Sequence, residues 1–272
     1  PEIHFHIVIP NEFNPLAKFN IGITAGLEMT ACPPIWLEGM NRMDMNIVPS
    51  NFVKDTMNGI VFDINDEQTK QKKGELKNTK PIEVLFEGTD TNIFKKTTMF
   101  SRELKDEINK VDETFNFLYV GHWLQGDLGQ DRKDTGMMLK VFLETFKNMK
   151  NSPGLIMKTS GAGFSVLDRE QMLAKIKSIK SMIKGDLPNV YLLHGDFTDN
   201  EMNELYNHPK VKAHVNLTHG EGFGRPLLEA SISQKPVIAP NWSGHVDFLN
   251  KDQAILLNGD LTGVEKGSVP DE

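Results

Sequence analysis

Thr218-His219-Gly220-Glu221-Gly222-Phe223-Gly224-Arg225-Pro226-Leu227-Leu228-Glu229-Ala230 is the stretch on which the fold of this 272-residue chain is read. Residues 211–217 before it are rich in β-formers and alternate in polarity, which predicts a strand. Gly220, Gly222 and Gly224 permit positive φ and close backbone approach, and Pro226 suits the first turn of a helix. The order is strand end, glycine loop, helix start. Such a helix end carries unpaired N–H groups and a partial positive charge, a place for phosphate or another anion. Glu221 and Glu229 bracket it. At 1.5 Å per helical residue they are at most about 12 Å apart and differ in direction by about 80°. Carboxylates so spaced can hold opposite ends of one long ligand.

Working outward, residues 115–121 read as the first strand of an α/β unit. Asp131-Arg132-Lys133-Asp134 opens a helix whose Met138, Val141, Phe142 and Phe146 keep helical spacing. Strands at 155–158, 190–193, 236–239 and 254–257 alternate with helices at 168–184 and 199–206. That alternation predicts a doubly wound parallel sheet, which binds ligands at the carboxyl ends of its strands.

Toward the N-terminus, residues 3–9 read as a buried strand carrying His4 and His6 on one face; packing is the more ordinary role for such a pair. Strands follow at 19–25, 46–49 and 82–86. Pro33-Pro34 starts a helix running to Met40, and Ser50 caps another. The polar stretch 63–80, with Gln71-Lys72-Lys73-Gly74, reads as a solvated loop. Charged residues from Ser101 to Glu113 form a connection. The expected division is an N-terminal Rossmann-like unit with linker at 1–113 and a C-terminal one at 114–272.

A net charge of −7 offers no general basic surface, which argues against nucleic acid as a partner. Cys32 is the only cysteine, so no intrachain disulfide can form. Apolar runs such as 7–9 and 254–257 fall far short of the roughly 20 residues that span a bilayer, and the expected location is cytoplasmic. The first residue is Pro1, and the chain opens directly on a strand. We therefore expect a fragment of a longer chain, with an incomplete N-terminal unit.

With these residues in place, the order resembles the retaining GT-B-fold glycosyltransferases called glycosyl transferases group 1. Their signature is two glutamates separated by seven residues, the first followed by Gly-Phe-Gly and the second by Ala, and then a Pro-Val strand. Here these are Glu221-Gly222-Phe223-Gly224, Glu229-Ala230 and Lys235-Pro236-Val237-Ile238-Ala239. Ile47-Val48-Pro49-Ser50, Glu87-Gly88-Thr89-Asp90, Tyr119-Val120-Gly121, Arg132-Lys133 and His194-Gly195-Asp196 resemble further family segments in the same order. Glu87 stands where asparagine is usual.

The resemblance implies two Rossmann-like domains, a nucleotide diphosphate sugar (UDP- or GDP-linked) as donor, a sugar-bearing acceptor, and work in polysaccharide biosynthesis. A lipid-borne acceptor would bring the protein to a membrane periphery. Glu229 would accept hydrogen bonds from the ribose hydroxyls, and Glu221 would face the transferred hexose. The N–H groups of Phe223, Gly224 and Arg225, next to Gly222, would meet the diphosphate. Lys133 would neutralise its charge. His122 occupies the place of a usual phosphate-binding arginine, so either another base such as Arg132 or Arg225 substitutes or phosphate binding is weakened; Arg225 itself stands where the family is commonly aliphatic. Lys158 after the second strand and His194 near the base pocket are further donor-binding candidates, and His219 is either a supporting or a packed residue. No Asp-x-Asp pair occurs, which fits a metal-independent transfer without a cofactor, in which Lys133, an arginine and the helix dipole stabilise charge.

Each residue also has an ordinary reading. Arg132 and Lys133 would otherwise be solvated at a helix start, and Glu229 an exposed helical carboxylate; it is the joint pattern that raises them. An NAD-dependent oxidoreductase is the first rival, on Gly161-Ala162-Gly163, but the third glycine is replaced by Val166. The others are a GT-B epimerase or phosphorylase relative, and a binding module that takes up a nucleoside diphosphate more readily than it turns over a sugar.

Overall fold

The computed structural model describes residues 1–124, 126, 128–161 and 163–264. Its first half is built on four parallel strands, β1 (Ile3–Ile7), β2 (Phe19–Ile23), β3 (Met45–Val48) and, after the hairpin described next, β6 (Ile82–Val84), in the order β1-β2-β3-β6. Helix α1 (Pro34–Arg42) begins with proline in its first turn, and α2 (Asn51–Gly59) is capped by Ser50, whose hydroxyl accepts from the Val53 N–H at 3.2 Å. Leu37 and Met40 of α1 and Val53 and Met57 of α2 are buried together with Phe13, Val48 and Ile82.

Two expectations are corrected here. The stretch 63–80 is not a plain loop: β4 (Val61–Asn65) and β5 (Lys72–Lys77) pair as an antiparallel hairpin. Lys72 bridges Asp63 at 2.7 Å and Glu75 at 2.8 Å, while Phe62 and Leu76 pack on the core. The Lys72–Asp63 pair crosses the hairpin, and the Lys72–Glu75 pair lies within β5. Second, β1 is not buried. It is the edge strand, and the period of two turns Ile3, Phe5 and Ile7 onto an exposed face while His4 and His6 lie half-buried on the other. The ring of His6 packs against Phe13, and its Nδ1 accepts from the Asn14 N–H at 3.2 Å.

Helix α3 (Arg102–Asn109) follows, within the expected connection. Its Leu104 and Ile108, with Phe94 and Val111, pack into the core of the second half among Leu118, Ile156, Leu205 and Tyr206.

The second half is a six-stranded parallel sheet. Its elements in chain order are β7 (Asn116–His122), α4 (Thr135–Phe146), β8 (Gly154–Ser160), α5 (Val166–Ser181), β9 (Val190–Leu193), α6 (Asp199–Asn207), β10 (Val211–Val215), α7 (Arg225–Ile232), β11 (Val237–Pro240) and β12 (Ala254–Leu257). The strand order is β12-β11-β10-β7-β8-β9, the doubly wound arrangement foreseen. β7 sits centrally, the chain winding outward first through β8 and β9 and then through β10 to β12. The loops after β7 and β10 therefore meet at the switch point of the sheet, where doubly wound folds bind ligands.

Asp131 to Lys133 precede α4 and do not belong to it, contrary to the expected helix start. The Asp131 carboxylate accepts from the Thr135 N–H at 2.9 Å, and Asp134 adopts a left-handed φ of 48°. This turn ends the loop and aims Arg132 and Lys133 away from the helix. The described part of the chain contains no helix long and apolar enough to cross a membrane.

Candidate active site

The loop between β10 and α7 is fixed from both sides. The Glu221 N–H donates to Ser243 Oγ at 2.9 Å, and its carbonyl accepts from the Gly244 N–H at 2.8 Å. Gly224, at φ 96°, forms the N-cap of α7, and its carbonyl accepts from the Leu227 N–H at 3.0 Å. A Cβ on Gly222 would lie 2.5 Å from the Ala25 carbonyl oxygen, and one on Gly220 would lie 2.1 Å from that of Glu28. The glycines thus let the loop after β2 press directly on the loop after β10. The two sheets also meet where Phe52 packs edge-on against Trp242 and where Phe86 approaches Phe223. The Asn51 N–H, at the start of α2, donates to Asp247 Oδ2 at 2.6 Å.

Two ion pairs bridge the loops. Lys133 Nζ donates to Glu221 Oε1, both side chains being nearly buried, and Arg132 donates to Glu28 Oε1. Burial raises the Glu28 carboxyl above its ordinary range, with Arg132 and Lys133 opposing the rise. The Arg132 carbonyl accepts from the His219 N–H at 3.2 Å, which ties the 131–134 turn to the glycine loop. His219 Nε2 lies 3.2 Å from the Gly129 carbonyl. Beside these residues lies a cavity of about 520 Å³, lined by Glu28 of the loop after β2 and by Arg132, His219, Gly220, Trp242 and Asn258 of the second half, among others.

Glu229 lies in the second turn of α7 and is buried. Its Oε1 accepts from Arg225 Nε at 2.8 Å and its Oε2 from the Tyr206 hydroxyl at 3.0 Å. Burial raises its pKa, opposed by Arg225 and Tyr206. The N–H groups that open α7 have no partner earlier in the helix, as at any helix start. The Glu221 side chain is close by, since a Cβ on Gly224 would lie 3.5 Å from its Cγ.

The remaining expected residues sit elsewhere. Lys158 Nζ donates to the Gly195 carbonyl at 2.7 Å and lies 4.6 Å over the Phe197 ring; burial lowers its pKa. His194 Nε2 meets Asp168 Oδ2 at 2.7 Å, and the same carboxylate accepts from the Gly161 N–H. His122 ends β7, exposed, with its Nδ1 3.3 Å from Ser160 Oγ. Of the Gly161-Ala162-Gly163 run, Ala162 lies outside the described residues, as does 265–272. Among the described residues no group of three or more His, Cys, Asp or Glu side chains is disposed to hold a metal ion. Sequence reasoning gave no role to Glu28, Tyr206 or Ser243. Each reaches the site from a distant element, and no local pattern marks it.

No family model and no curated protein matches the chain. Solved structures do. HepE of Anabaena in complex with UDP-glucose superposes with a TM-score of 0.59 at 15% identity, over 88% of this chain and 58% of that one. Sucrose-phosphate synthase of Thermosynechococcus elongatus gives 0.58 at 13%, over 88% and 54%. TarM of S. aureus, crystallised with UDP, gives 0.54 at 16%, over 88% and 41%. The chain thus spans little more than half the length of the first two. At these identities the likeness shows the fold, which is the GT-B arrangement of two Rossmann-like parallel sheets.

Proposed function

We propose that the chain is a retaining glycosyltransferase of the GT-B kind that moves a hexose from a nucleotide diphosphate sugar to an acceptor hydroxyl. The observation that carries the reading is the pairing of Lys133 with Glu221 at the switch point of the six-stranded sheet, beside the start of the helix that buries Glu229. An anionic diphosphate fits between a lysine and a helix N-terminus. A ribose diol fits a carboxylate with two acceptor oxygens.

In this reading Lys133 releases Glu221 to the hexose hydroxyls and turns to the phosphate. Arg132 and the N–H groups of Phe223, Gly224 and Arg225 share the charge. The bond between the anomeric carbon and the phosphate oxygen breaks, the acceptor oxygen bonds to the same face, and its proton passes to the departing phosphate oxygen. Glu221 orients the sugar and stabilises charge and is not the nucleophile. Cationic side chains and the helix end perform the neutralisation a divalent ion would otherwise supply. The UDP-glucose held by HepE makes a UDP-sugar the first donor to try. The acceptor is a glycan or a lipid- or protein-linked sugar, the lipid case placing a cytoplasmic enzyme of polysaccharide synthesis at a membrane surface.

The test is incubation with UDP-glucose, UDP-N-acetylglucosamine or GDP-mannose and a panel of sugar acceptors, with and without EDTA. We expect acceptor-dependent release of the nucleoside diphosphate, an axial donor linkage kept in the product, and no loss in EDTA. Equal release of free sugar without acceptor, or epimerised donor, contradicts transfer.

A further inference from the structure

The Glu229 carboxylate does not stand alone in its pocket. Tyr206, the penultimate residue of α6, is fully buried among Leu205, Leu227 and Ala230, and its hydroxyl donates to Glu229 Oε2 at 3.0 Å. Arg225 donates to the other oxygen at 2.8 Å, but half of its side chain is exposed. One partner is thus locked by packing, and the other is half-exposed at the surface, 3.6 Å from Asp199 Oδ1. A carboxylate oxygen carries two lone pairs, so each oxygen of Glu229 retains one acceptor direction for an incoming hydroxyl.

We propose that Tyr206 is a positioning residue for nucleotide recognition: it fixes the rotamer of Glu229 so that the carboxylate meets both hydroxyls of a ribose diol, and it thereby sets discrimination between nucleotides with an intact diol and those lacking one of its hydroxyls. The inference rests on the assignment of Glu229 to the ribose. Burial and the neighbouring carboxylate hold the phenol well above its ordinary pKa, so it stays a donor at every working pH. A carboxylate fixed beforehand loses no rotamer freedom when the ligand arrives, and a hydroxyl missing from the ligand leaves a buried acceptor unpaired. Without Tyr206, Oε2 keeps its burial and loses the hydrogen bond that ties it to the core.

The experiment is calorimetry of UDP and 3′-deoxy-UDP with wild type, Tyr206→Phe, Glu229→Ala and the double variant. Wild type should prefer UDP by about tenfold or more. Tyr206→Phe should weaken UDP severalfold while leaving 3′-deoxy-UDP unchanged, so that the preference collapses; in the Glu229→Ala background it should do nothing further. A Tyr206→Phe protein with wild-type preference overturns the inference, whereas unchanged UDP binding by Glu229→Ala overturns the ribose assignment itself. If Tyr206→Phe does not fold, 3-fluorotyrosine labelling serves instead, because the chain has only three tyrosines. The fluorine resonance of Tyr206 should move on adding UDP and move less with 3′-deoxy-UDP. Equal movement with both, or none, overturns the inference.

Discussion

Glu28, in the loop after β2 on the four-stranded sheet, is ion-paired with Arg132, in the loop after β7 on the six-stranded one. The guanidinium that would meet a donor phosphate is therefore already engaged by an anion from the opposite side of the cleft. Glu28→Gln removes the competing charge and should tighten UDP binding severalfold in calorimetry, with the gain shrinking as salt rises. Weaker binding by this variant would show that Glu28 holds the ligand and does not compete with it.

Lys133 and Glu221 form the better-buried pair. Lys133→Ala leaves a nearly buried carboxylate without its counter-charge, which costs about 3 kcal/mol for breaking one half of a buried pair. The melting temperature should fall, and UDP affinity with it. Adding Glu221→Gln should restore much of the stability and none of the transfer. Thermal denaturation alongside a transfer assay checks both halves.

Gly222 faces the Ala25 carbonyl so closely that a methyl group cannot fit without movement. Gly222→Ala should leave each sheet folded but separate the loop after β2 from the loop after β10. Hydrogen exchange at residues 25–28 and 220–224 should rise, with little change in strands β7 and β8.

Asp134 carries a pH signature. Burial pushes its carboxyl up to about 6, against the attraction of His219. Since the folded value lies above the unfolded one, the folded state binds the extra proton between about pH 4 and pH 6. This contribution to stability is whole below pH 4 and lost as pH rises through 6. Asp134→Asn keeps a residue that tolerates the left-handed turn and should stabilise the protein above pH 7, by roughly 1–2 kcal/mol. Denaturant midpoints across pH 4 to 8 measure this; a larger gain at pH 4 than at pH 8 would contradict the sign.

Much of the C-terminal half was legible because its signals are local. The helical and strand periods of β7 to β12, the glycines before α7 and the spacing from Glu221 to Glu229 all act within a few turns of chain. The hairpin β4 to β5 escaped because its backbone ladder is accompanied by exposed charges, with Lys72 pairing to Asp63 across the strands and to Glu75 within β5, and such a charged stretch looks like solvated loop in one dimension. The exposure of β1 escaped because the alternation of Ile3, Phe5 and Ile7 fixes which residues share a face, not whether anything packs upon it. The partners of the glutamates escaped for a different reason. Arg225 is one turn from Glu229 and its residue type could be noticed, but Tyr206 arrives from α6 and Glu28 from the other sheet. Such contacts are set by tertiary packing alone.

The central claim is that Glu229 receives the ribose of a nucleoside diphosphate beside a helix N-terminus and Lys133. The most direct test is calorimetric titration of UDP and GDP into wild type and Glu229→Ala. The account predicts binding of at least one of them by wild type and a loss of about tenfold or more in the variant, the worth of hydrogen bonds to a charged group. Equal affinity in the two proteins would contradict it.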